Sequence, residues 1–151
     1  MDPLSTAASG IAVISLTIQL ASSVQDMHRF LRGISGAPKE LDRLVDLLEQ
    51  LDIILDGIRA LHLRQKEQDS IPDMHTAVIR ALQTCQSRLE LLEGIVKKAK
   101  NDMTRSNKVL KTWAALKLTL KKKDVDEFEG RLEQAMMRLQ MAVTMNIAHV
   151  Q

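Results

Sequence analysis

The chain has 151 residues, with 45% hydrophobic and 26% charged residues and a net charge of +2. That is enough for one domain with a real core and too little for two ordinary ones. Aromatics make up 2% and there is a single cysteine, so an internal disulfide is excluded and a β-sandwich core is disfavoured.

The first element spans the N-terminus. From Pro3 to Gln25 the run PLSTAASGIAVISLTIQLASSVQ carries no charge and is bounded by Asp2 and Asp26. It reads as a helix starting near Ser5 or Thr6, both able to cap it. One apolar stripe is Val13, Leu16, Leu20, Val24, Met27, Leu31; a second is Ile11, Ile14, Ile18. Two stripes suit either a central bundle helix or one able to enter a membrane. Asp2 leaves no basic n-region, and no A-x-A cleavage end follows, which argues against a secretory signal. The length would span a bilayer. However, Ser5, Thr6, Ser9, Ser15, Thr17, Gln19, Ser22 and Ser23 dilute the run too far for a permanent anchor. Gly33 and Gly36 end the helix and Pro38 opens the next.

A second helix is expected over roughly 38–66. Leu41, Leu44, Leu48, Leu51, Leu55 and Ile58 form its seam, widened by Val45, Leu47 and Ile54. Asp42, Asp46, Glu49, Asp52, Asp56 and Arg59 mark the opposite face. The third helix starts at Ser70, with Asp73 three residues on in a capping-box arrangement. Val78, Leu82, Cys85, Leu89, Leu92, Val96 and Ala99 are its core seam, which fades near Asn101 and Asp102. A short helix over about 107–120 shows Val109, Trp113, Leu116 and Leu120 on one face. The last helix begins near Asp124, with Val125, Phe128, Leu132, Met136, Leu139, Val143, Ile147 and Val150 as its stripe. The acidic group Asp124, Asp126, Glu127 and Glu129 reads as charge placed to suit a helix start. No strand pattern is seen. The expected fold is an all-α four-helix bundle with an additional short helix before the last long one. The last pattern is still running at Gln151, as in an N-terminal module of a longer protein.

Charge is unevenly placed. Between Lys97 and Lys123 lie ten basic residues and one acid, Asp102, a local charge of +9 that leaves −7 for the rest of the chain. Such a segment beside an apolar helix suits anionic lipid. A solvated, solubilising connection explains it equally. Nucleic acid is disfavoured, because only Trp113 is available for stacking and no zinc-finger spacing occurs.

Signals for catalysis are lacking. The six glycines form neither GxxxxGK[ST] nor GxGxxG. His28, His62, His75 and His149 make no HExxH, and no Glu-x-x-His supports a di-iron bundle. Asp73 and His75 fall on different sides of a helix. Cys85 lies on a seam and reads as a small buried hydrophobe. No enzymatic activity, cofactor or metal is expected. Met136, Met137, Met141 and Met145 give the last helix a soft surface, for core filling or for an adaptable docking groove. Trp113 reads as a packing anchor or an interfacial one.

Two stretches together, MDPLSTAASGIAVISLTIQLASSV and WAALKLTLKKKDVDEFEGRLEQAMMRLQMAV, resemble the HeLo-like N-terminal domain of fungal STAND proteins. These are NLR-like receptors with a central NTPase and C-terminal repeats. The likeness covers nearly the whole chain. It implies a cell-death effector bundle, similar to the HeLo domain of heterokaryon incompatibility proteins and the four-helix domain of the necroptosis pseudokinase. There, oligomerisation delivers an N-terminal helix to the plasma membrane. On this chain the resemblance implies membrane insertion through Ile11, Val13, Ile14, Leu16, Ile18, Leu20 and Val24. Anionic lipid contact would come from Lys97, Lys98, Lys100, Lys121, Lys122 and Lys123. The implied partners are further copies of itself, anionic lipids, and a partner helix or effector protein. The implied location is the cytoplasm, with relocation to the plasma membrane on activation. The competing expectation is a module of protein interaction that never touches membrane.

Overall fold

The computed structural model describes residues 3–34, 39–65, 72–105 and 122–150. All four segments are helical: α1 (Pro3–Arg32), α2 (Lys39–Gln65), α3 (Pro72–Arg105) and α4 (Lys122–Val150). The expected all-α four-helix bundle is what is found. The short helix expected over 107–120 lies outside the described residues, as does Ser70 of the capping box.

Helix boundaries shift in places, for local reasons. Both α1 and α3 begin on proline, Pro3 and Pro72. Proline's fixed φ suits the first helical position, where its missing N–H loses nothing. Ser5 and Thr6 therefore lie inside α1 rather than capping it. α1 ends where Gly33 donates its N–H to the carbonyls of Arg29 and Phe30, at 3.2 Å each, and Ile34 donates to Leu31 at 3.3 Å. α3 continues to Arg105, beyond the expected fade, and α4 starts at Lys122, before Asp124.

The leucine seams make one aliphatic core. Leu44, Leu48, Leu51 and Leu55 of α2, Leu82 and Cys85 of α3, and Leu132 and Leu139 of α4 are fully buried. Val24, Met27 and Leu31 supply α1's share. Small residues complete the seams where helices close in, at Ala81, Ala135 and Ala142.

α1 packs on α2 and α3, and α4 packs on the same two helices. The diagonal pairs, α1 with α4 and α2 with α3, barely meet. Contacts fix the directions. Gly10 faces His62 and Gln25 bonds Asp52, so α1 and α2 are antiparallel. Lys100 near the end of α3 sits over Phe30 near the end of α1, so these two are parallel. Arg43 near the start of α2 reaches Glu129 and Glu133 near the start of α4, so those are parallel as well. One end of the bundle therefore gathers the finish of α1 and α3 and the start of α2 and α4.

Candidate functional site

The uncharged N-terminal run is part of the bundle. Val13, Leu20 and Val24 are buried in the core, and Leu16 packs partly against it. Ile14 is half-buried. Ile11 and Ile18 turn outward, 68% and 49% exposed. Of the residues assigned to insertion, then, three are core, two are intermediate and two face solvent. Thr17 is buried within the run and spends its hydroxyl on the Val13 carbonyl at 2.6 Å. That bond lets a polar side chain enter the core without a partner on a neighbouring helix. Among the described residues, no helix is long and apolar enough to cross a membrane.

Close approach explains one glycine. A Cβ built on Gly10 would meet His62 Cε1 at 3.1 Å, tighter than an ordinary contact. Farther along the same groove, Gln25 donates to Asp52 at 3.1 Å. The shallow cleft between α1 and α2 continues past His28, Arg29, Arg32 and Glu49.

The lysines gather at the other end. Lys97, Lys98 and Lys123 are exposed, while Lys121 lies outside the described residues and Lys122 opens α4. Lys100 places its ammonium 5.7 Å from the centre of the buried Phe30 ring, a cation–π contact. Lys97 is held by Glu93 one turn back, at 3.2 Å. So two of the assigned lipid lysines already have partners within the bundle. At about 1.5 Å per residue, Ile11 lies roughly 28 Å along α1 from Phe30 and Lys100. The folded bundle does not bring the exposed isoleucines and the lysines together.

Two further surfaces stand out. Met137, Met141 and Met145 form an exposed stripe on α4, while Met136 is buried. Glu129, read from sequence as part of a helix-start cluster, is instead a core-facing residue, 3% exposed. Its carboxylate lies 3.6 Å from Arg43 Nε, and Arg43 Nη2 donates to Glu133 at 2.7 Å. Periodicity decides the difference: Glu129 falls one helical turn from buried Val125, on the inward stripe of α4. That signal was present in the spacing Val125, Glu129, Leu132, Met136, and the charge obscured it.

Cys85 is fully buried, and burial pushes its thiol up to about 11. A group so desolvated is a core filler at neutral pH. Among the described residues, no group of three or more His, Cys, Asp or Glu could hold a metal ion.

These features define a class: an all-α bundle whose distinctive surfaces are apolar and basic faces of long helices. Residues 1–150 match the PigL_N family model, described as pigment biosynthesis cluster protein PigL N-terminal, and the chain belongs to that family. No curated protein and no solved structure matches it.

Proposed function

We propose that this domain is a non-enzymatic, HeLo-like cell-death effector module that self-associates on activation and perturbs an anionic membrane through α1. The observation that carries the proposal is α1 itself. It is uncharged from Pro3 to Gln25, it keeps one face in the core, and it turns Ile11 and Ile18 to solvent. A helix of this kind exchanges core neighbours for lipid with little loss of apolar burial. Because no described helix is long and apolar enough to cross a membrane, the proposed mode is burial at interface depth, shared among several copies. Lys98 and Lys123, both exposed, supply electrostatic attraction. In the resting bundle the isoleucines and lysines are far apart, so α1 has to move before both engage one surface. The proposed location is the cytoplasm at rest and the plasma membrane after activation.

The test is dye leakage from vesicles rich in anionic lipid. Ile11→Glu and Ile18→Glu are the informative variants, since both positions are exposed and the fold tolerates charge there. Leu16→Glu is a poorer choice because Leu16 packs on the core. Wild type is expected to release dye, and the double variant to lose most of that activity while keeping its helical signal. Equal leakage from both overturns the membrane reading.

A second reading rests on the methionine stripe. An exposed run of Met137, Met141 and Met145 on one helix face suits an adaptable protein contact. The domain would then act by homotypic or adaptor binding alone. Vesicles would stay intact, and size-exclusion chromatography would show association that Met141→Lys removes.

A further inference from the structure

α1 is held unevenly along its length. Between residues 10 and 18 the fully buried positions are Gly10, Val13 and Thr17, with Ile14 and Leu16 only half-buried beside them. One has no side chain, one is small, and the third bonds only its own helix through its hydroxyl. From Leu20 onward the core positions are Leu20, Val24, Met27, Phe30, Leu31 and Ile34, all at most 7% exposed. Two cross-helix polar contacts, Gln25 with Asp52 and Lys100 over Phe30, also fall in this second stretch. The first stretch meanwhile keeps Ile11 and Ile18 wet, so it has less apolar surface to lose on leaving.

We infer that α1 consists of two units divided at Leu20: an N-terminal half that opens locally, and a C-terminal half, Leu20–Arg32, that stays docked as its anchor. Local opening follows buried apolar contact, and the lightly buried half opens at a fraction of the global cost. The inference deepens the membrane reading and rests on it for where the opened half goes. The docked half would keep each released segment tethered to the bundle at Leu20, about 15 Å along α1 from Phe30 and Lys100.

The experiment is native-state hydrogen exchange on the 151-residue chain in buffer without lipid. Amides of residues 11–18 are expected to exchange at least about 100-fold faster than those of residues 24–32. A matched pair of variants provides the second readout, Val13→Ala and Val24→Ala, which delete the same atoms from two buried sites. Val24→Ala is expected to lower the melting temperature by several degrees. Val13→Ala is expected to lower it less than half as far, while speeding exchange in residues 10–19. Uniform protection along α1, or equal melting losses in the pair, overturns the two-unit helix. Graded exchange in a chain that leaves vesicles intact supports the two-unit helix and removes the membrane reading; uniform exchange in a chain that leaks does the reverse.

Discussion

Arg43 bridges two carboxylates of α4, lying 3.6 Å from buried Glu129 and 2.7 Å from Glu133, while 60% of its own side chain stays in solvent. The pair fastens α2 to α4 at the end where both helices begin. Removing Arg43 takes a guanidinium away from a carboxylate that sits among core residues. Arg43→Met should therefore cost about 2 kcal/mol, read as a lower urea midpoint. Pairing it with Glu129→Leu should restore most of the loss, because the buried charge goes too. A double variant no more stable than Arg43→Met would show that Glu129 is solvated well enough to stand alone.

Lys100 over Phe30 makes a smaller prediction of the same kind. Lys100→Met keeps most of the stem and removes the charge, so the cost should be about 0.5–1 kcal/mol, or about 2 °C in melting temperature. By contrast, Lys98→Gln with Lys123→Gln should leave stability unchanged, since both lysines are exposed. If the lysine end meets lipid, that pair should weaken binding to anionic vesicles by about 30-fold, with the difference shrinking in salt.

The methionine stripe separates stability from association. Met141 is 63% exposed, so Met141→Lys should change the folding free energy by less than about 0.5 kcal/mol. Met136→Lys, on the buried side of the same helix, is not an equivalent change and should unfold the bundle. Sedimentation of the Met141 variant tells whether this face joins copies.

Cys85 gives a pH signature. Its folded value is about 11 against an ordinary 9.0, raised by burial. The thiol form is favoured in the fold, so this contribution is fully present below pH 9 and is lost as pH rises through about 11. Within that window the slope should approach about 1.4 kcal/mol per pH unit at 25 °C. Cys85→Ala should flatten it, measured as urea midpoints from about pH 8 to about pH 11. In the folded protein near neutral pH the thiol should resist alkylation until denaturant is added.

The seams of α2 and α3 were legible because leucine at steps of three and four has one physical meaning, an inward stripe. Cys85 followed from its place on such a seam. Glu129 stands on an inward spacing, but a carboxylate near a helix start has an ordinary surface explanation, which its burial beside Arg43, far away in sequence, displaces. Ala81, Ala135 and Ala142 were missed for another reason: alanine is at home on either face, and only the neighbouring helix decides. The candidate surfaces divided similarly. The amount of apolar residue in α1 was plain, but which isoleucines escape the core depends on where α2 and α3 lie. The distance between Ile11 and the lysines depends on helix direction, which composition and periodicity do not encode.

The corner arrangement of the helices has a consequence for how the domain tolerates change. α1 and α4 share almost no packed face, so a substitution in one is felt by the other only through α2 or α3. Changes in α1 and α4 that share no neighbour on α2 or α3 should add, whereas paired changes at touching residues of α1 and α3 should not. Sequence drift in the domain is thus free to alter the N-terminal helix and the methionine-bearing helix separately, neither change forcing the other.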